Sequence, residues 1–110
     1  MEFTVQDKGH YTEVAANGRL NMVAAPSLRK VVDEVVSGGG KRIVVNLADT
    51  SFMDSSGLGA LIGCLKLARQ SGGDLRIATV QPQVTMVLEL TSMHRVLTPH
   101  ASADDAFRND

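Results

Sequence analysis

The stretch Phe52-Met53-Asp54-Ser55-Ser56-Gly57-Leu58-Gly59 decides how this chain is read. Before it lies Arg42-Ile43-Val44-Val45-Asn46-Leu47, a nearly continuous apolar, β-branched run of the kind found in a strand covered on both faces. After it, Leu58 to Arg69 carries a helical period. Two hydroxyls at a strand-to-helix junction stand where the first amide N–H groups of a helix lack partners. A serine there can cap the helix, or it can offer its oxygen at the end of a sheet, where α/β proteins place their function. Spacing alone leaves both open.

Toward the C-terminus, Leu58, Leu61, Ile62 and Leu65 form one stripe of a helix running from Ser55 to Gln70, and that stripe belongs against a sheet. Ser55, Gly59, Gly63, Lys66 and Gln70 form a second stripe, flanked by Ala60, Cys64 and Leu67. A glycine inside a helix costs about 0.5–1 kcal/mol relative to alanine. Two on one stripe mark either close packing within the domain or a flat ledge left for a partner. Gly72-Gly73 ends the helix, Leu75 to Val80 reads as a strand, and Pro82 opens another helix with Val84, Val87, Leu88 and Thr91 on its inner side. Arg95 to Thr98 reads as a short edge strand, and Ser102-Ala103-Asp104-Asp105 caps a last short helix containing Ala106 and Phe107.

Toward the N-terminus, Phe3–Asp7 and Tyr11–Ala16 read as two strands joined through Lys8-Gly9-His10. The second resumes past Asn17-Gly18, a turn or a bulge, toward Leu20. Asn21 to Ala25 is a loop, and Pro26 suits the first turn of a helix whose apolar positions are Leu28, Val31, Val32, Val35 and Val36. Gly38-Gly39-Gly40 stops it. Strands first, then strands alternating with helices, predict an α/β fold: a small mixed sheet of about four strands packed by about four helices. Residues 1–110 form a single domain on this reading.

Composition narrows the function. A hydrophobic fraction of 44% with 21% charged residues is that of a soluble globular fold, and a net charge of -1 steers the molecule toward neither nucleic acid nor an anionic membrane. No apolar run has the length of a membrane span and the N-terminus lacks a signal-peptide pattern, so a cytoplasmic protein is expected. The lone Cys64 forms no internal disulfide and no multi-cysteine metal site, and it is expected to be partly buried and unreactive. Gly38-Gly39-Gly40-Lys41 lacks the phosphate-loop spacing, and Gly57-Leu58-Gly59 is too short for a dinucleotide fingerprint. Asp49, Asp54 and Asp104-Asp105 fit turns and caps; no metal site and no cofactor are expected.

A nucleophilic serine needs a base and an oxyanion site, but His10, His94 and His100 are scattered and no G-x-S-x-G elbow is present. No catalytic residue, and no enzyme, is expected. Phosphorylation fits the junction better. A phosphoserine carries about -1.5 to -2 charges, which the positive end of a helix tolerates and an opposing surface does not.

The run Ile43-Val44-Val45-Asn46-Leu47, followed by Ser51-Phe52-Met53-Asp54-Ser55-Ser56-Gly57-Leu58-Gly59, resembles the signature of the STAS-domain anti-sigma factor antagonists of bacteria. The resemblance extends through Gly72-Gly73-Asp74-Leu75-Arg76 and the helix after Pro82, covering about Phe3 to Phe107. It implies a STAS fold with helices on one side of a small mixed sheet. It implies a partner-switching protein that, when unphosphorylated, binds a serine-kinase anti-sigma factor and releases its sigma factor. The kinase then inactivates the antagonist on a serine of this motif, and a protein phosphatase restores it. The serine after the aspartate is the family's phosphoacceptor, which falls on Ser55, with Ser56 as second choice. Asn21, Asp54, Ser55, Ser56, Gly57, Gly59, Gly63 and Lys66 are the expected partner-binding residues. The alternative is a non-catalytic STAS scaffold module of a stress-signalling or transport complex. One departure stands out: where many family members have Gly-Glu-Leu-Asp, this chain has Gly18-Arg19-Leu20-Asn21, losing two acids and suggesting a specialised partner preference.

Overall fold

The computed structural model describes residues 1–109. β1 (Glu2–Asp7) and β2 (Thr12–Leu20) form an antiparallel hairpin, followed by α1 (Ala25–Ser37), β3 (Arg42–Asn46), β4 (Thr50–Met53), α2 (Ser55–Gln70), β5 (Asp74–Ala78), α3 (Pro82–Leu90), β6 (Pro99–His100) and α4 (Ala103–Ala106). The strands form one mixed sheet in the order β1-β2-β3-β5-β6, with β4 also paired to β2. Apart from the β1 hairpin, the pairings are parallel.

The sheet has six strands, not about four, and the two additions are short. β4 extends the sheet beyond the end of β3: Thr12–Ala15 of β2 pair with β3, while Gly18, Arg19 and Leu20 pair with Thr50, Phe52 and Met53. Register shifts between Gly18 and Arg19, so Asn17-Gly18 marks a bulge inside one long strand and not a second turn. Thr50 is buried at this seam and donates its hydroxyl hydrogen to the Ala16 carbonyl at 2.9 Å, which keeps an unpaired hydroxyl out of the core. Arg95–Thr98 is not a strand. Met93–Arg95 forms a 3-10 turn, and the edge strand lies one step later, at Pro99–His100.

Alternation along the strands divides the core. Val14, Ile43, Val45, Leu75 and Ile77 face the helical layer and pack with Leu28 and Val32 of α1, Leu58, Leu61 and Leu65 of α2, and Val84 and Leu88 of α3. Val44 and Ala78 face the other way and pack with Tyr11, Ala103, Ala106 and Phe107. The helices therefore do not all lie on one side: α4 covers the back of the sheet. It is held by Arg76, whose guanidinium sits 4.3 Å from the Phe107 ring centroid and donates to the Ala106 carbonyl at 2.6 Å. Ser102 caps this helix through the Asp105 amide, as the sequence predicts.

The same closure gives a pH test. Tyr11 donates its hydroxyl hydrogen to Asp104 at 2.5 Å, and burial, then this bond, push its pKa up to about 12. A group that holds its proton more tightly when folded stabilises the fold below its ordinary pKa of 10.0 and loses that contribution as pH climbs through 12. Tyr11 is the only tyrosine, and there is no tryptophan, so ultraviolet absorbance reads it alone. Its titration is expected above pH 11 in the folded chain and lower in Asp104→Asn; an ordinary midpoint near 10 in both would remove the account.

Candidate functional site

The end of β4 and the start of α2 are fixed from three sides. Asp54 is the N-cap of α2: its side-chain oxygen accepts the Gly57 amide hydrogen at 2.9 Å, and its own N–H donates to the Leu20 carbonyl at 3.3 Å. The Leu20 backbone in turn presses on Gly57, where an added Cβ would stand 2.1 Å from the Leu20 carbonyl oxygen. From α3, Gln83 clamps the open edge of β4. Its amide oxygen accepts the Met53 N–H at 2.8 Å, and its amide nitrogen donates to the Met53 carbonyl at 3.0 Å. One carboxamide thus supplies the donor and acceptor that a neighbouring strand would supply. No sequence signal marked Gln83, a polar residue early in a helix whose partner is backbone.

With Asp54 as the cap, neither serine serves as one. Ser55 occupies the first turn of α2, exposed, and its hydroxyl has no hydrogen bond among the described residues. Ser56 is half-buried. Ser55 is therefore not the capping residue of α2. None of the histidines contacts the serines by hydrogen bond: His10 meets the Phe107 carbonyl, His94 faces the Leu88 carbonyl, and His100 lies on β6.

The remaining predicted site residues divide. Gly59 is exposed, with nothing within 4 Å of an added Cβ, so no internal packing demands it. Lys66 is exposed, and Gly63 is half-buried with only the Arg29 side chain nearby, 3.8 Å from a Cβ position. Gly57 is different. It is buried under the surface, a residue of close packing that shapes the site without facing a partner. Asn21 turns its oxygen inward, accepting the Val23 and Ala24 amides at 3.0 and 3.1 Å, and so holds the loop before α1 rigid. That loop exposes Met22 and Val23, which are 72% and 81% accessible and which no periodic signal in the sequence marks. Arg19 stacks 4.2 Å over the Phe52 ring centroid, on the strand pair leading into the site. Cys64, below the ledge, is buried more completely than expected, and burial pushes its thiol up to about 11.

Asp54 thus caps the start of α2 and leaves the exposed Ser55 hydroxyl beside the open face of Gly59. The profile of the STAS domain matches residues 2–106. The chain belongs to the STAS-domain family. This STAS domain is 36% identical over 93 residues to the anti-sigma-B factor antagonist of Staphylococcus aureus, covering 84% of each chain, which places it with the anti-sigma factor antagonists. Its fold is similar to that of an anti-sigma factor antagonist from Mycobacterium paratuberculosis, with a TM-score of 0.85 at 23% identity, covering 97% and 91% of the two chains. It is also similar in fold to the Bacillus cell fate determinant SpoIIAA in its phosphorylated form, with a TM-score of 0.72 at 20% identity and 97% of each chain covered. Among the described residues, no helix of this STAS domain is long and apolar enough to cross a membrane.

Proposed function

We propose that this STAS domain is a non-catalytic switch in the cytoplasm. With Ser55 unmodified it binds a serine-kinase anti-sigma factor, which then releases its sigma factor. The kinase phosphorylates Ser55 and ends the interaction, and a protein phosphatase restores it. The observation that carries this reading is the exposed Ser55 hydroxyl, without a hydrogen bond among the described residues, at a helix start already capped by Asp54. Two things support Ser55 as the acceptor: the motif it shares with the family, whose phosphoacceptor is the serine after the aspartate, and a fold neighbour, the Bacillus cell fate determinant SpoIIAA, solved in its phosphorylated form. The contact surface comprises Asp54, Ser55, Ser56, Gly59, Gly63, Lys66 and the loop at Asn21, with Gly57 supporting it from below.

The mechanism is electrostatic. A phosphate on Ser55 meets the positive end of α2, so the fold accommodates it. A docked surface has to desolvate that charge and tolerate its repulsion, and each ~1.4 kcal/mol lost weakens binding tenfold. Ser56 is less accessible, which favours Ser55 as the acceptor.

The test is intact mass after incubation with ATP, Mg²⁺ and candidate serine-kinase anti-sigma factors from the same genome. A single added phosphate is expected on the parent chain and none on Ser55→Ala. If no candidate both binds and phosphorylates the chain, the switch reading gives way to the scaffold module.

A further inference from the structure

Between α1 and α2 runs an open groove of about 460 Å³, lined by Arg29, Lys30 and Asp33 from α1 and by Gly63, Cys64 and Leu67 from α2. Its floor is apolar: Leu67 is half-buried, the Cys64 thiol is buried, and Gly63 contributes no side chain. Its rim is cationic. The Arg29 side chain reaches over Gly63, with Nε 3.8 Å from the position of an added Cβ. Its charge is also felt at Cys64, where it opposes the effect of burial on the thiol. Two cations face one carboxylate, Asp33, and Lys66 adds a third cation three residues beyond Gly63 on the ledge. None of Arg29, Lys30 and Lys66 has an ion pair or a side-chain hydrogen bond among the described residues. By contrast, Arg69, Arg76 and Arg108 each pair with an aspartate.

An apolar floor beneath unpaired cations selects its occupant. We infer that the groove receives an acidic amphipathic segment of the protein partner, with an apolar side chain over Gly63, Cys64 and Leu67 and carboxylates on Arg29 and Lys30. The inference rests on the docking reading of the ledge, because Gly63 belongs to both ledge and groove. It also gives that reading a sign. Ser55 lies eight residues before Gly63 on the same helix, about 12 Å along the axis. A phosphate at that distance lies beyond the ~8 Å screening length at physiological salt, so the sign is set by the rim cations themselves, which attract an acidic segment and disfavour a basic one. Discrimination thus comes from matching charge at the rim as well as from shape.

The test uses a defined probe, so it does not depend on finding the partner. Uniformly ¹⁵N-labelled protein is titrated with a 14-residue amphipathic Glu/Leu peptide and, separately, with its Lys/Leu counterpart. The acidic peptide is expected to give saturable shifts at the amides of Arg29, Gly63, Cys64 and Leu67. Its affinity should fall at least tenfold in the double variant Arg29→Glu, Lys30→Glu, and the basic peptide should leave these amides unmoved. Binding of both peptides alike, shifts confined to other surfaces, no shifts at all, or concentration-dependent shifts without peptide (a second copy in the groove) would each overturn the inference. Circular dichroism of the double variant checks that it folds. Phosphate uptake is read as mass on Ser55 and peptide binding as shifts at the groove amides, so the phosphoacceptor reading and the groove reading fail by separate readouts.

Discussion

Gly57→Ala is expected to unfold at a markedly lower urea concentration than the parent chain, while Gly59→Ala, two residues on, should unfold at a higher one. Both glycines lie in the first turns of α2, and helix propensity alone favours alanine at each by about 0.5–1 kcal/mol. Their surroundings set the signs apart. A Cβ on Gly57 would stand 2.1 Å from the Leu20 carbonyl oxygen, 2.8 Å from the Leu20 Cγ and 2.9 Å from its carbonyl carbon. The obstacle is mostly backbone, and that backbone is itself tied: Leu20 pairs with Met53 and accepts the Asp54 N–H.

Relief therefore requires α2 to move away from β2, which strains the Asp54 cap and the Gln83 clamp together. Overpacking of this kind costs about 1–3 kcal/mol, and more where a backbone has to give way. A net loss of about 2 kcal/mol would lower the melting temperature by roughly 10 °C in a domain of this size. At Gly59 an added Cβ meets nothing within 4 Å, so the propensity gain stands unopposed. Equal and small effects at both positions would mean that Leu20 and α2 separate easily, and that the site is not preorganised.

The contrast between these glycines also marks how far sequence reaches. Composition penalises both equally, and the family resemblance implies a docking role for both. Only the path of β2 distinguishes them, and that path depends on a bulge at Gly18 that turns Leu20 toward α2. The helices and the long strands were legible because their signals are periodic and repeated: α2 runs from Ser55 to Gln70 as its stripes indicate, and Gly39 and Gly72, each at positive φ, end their helices where glycine runs occur.

β4 was not legible. It is four residues long, begins with two hydroxyl residues, and exists because β2 overshoots β3 and needs a partner. β6 has two residues and no pattern at all. The placement of α4 behind the sheet follows from Val44 and Ala78 facing away from α1 and α2, an alternation visible in the strands but silent about which later segment would cover them. At the site, Ser55 was found by its position after an aspartate, whereas its freedom depends on Asp54 taking the cap. Gln83 carries no such signal, because a side chain that completes a strand edge leaves no periodic trace.

Ser55→Asp should raise the stability of the fold and lower its affinity for the proposed anti-sigma kinase, two effects of opposite sign from one charge. The first turn of α2 contains no acidic residue, and an acid near a helix N-terminus contributes about 0.3–1 kcal/mol, so the melting temperature should rise by a few degrees. The same carboxylate on the docking surface loses hydration and repels an acidic contact, so calorimetric affinity for the kinase should fall at least tenfold. Ser55→Ala separates charge from contact. Its hydroxyl makes no hydrogen bond among the described residues, so alanine should change stability little and keep affinity within a few-fold of the parent while abolishing phosphate uptake. Opposite signs in Ser55→Asp distinguish repulsion from misfolding, because a variant that binds poorly through damage to α2 would also melt early. An Asp variant that is more stable and binds as tightly as the parent would place Ser55 outside the contact, and the switch would have to act through another residue.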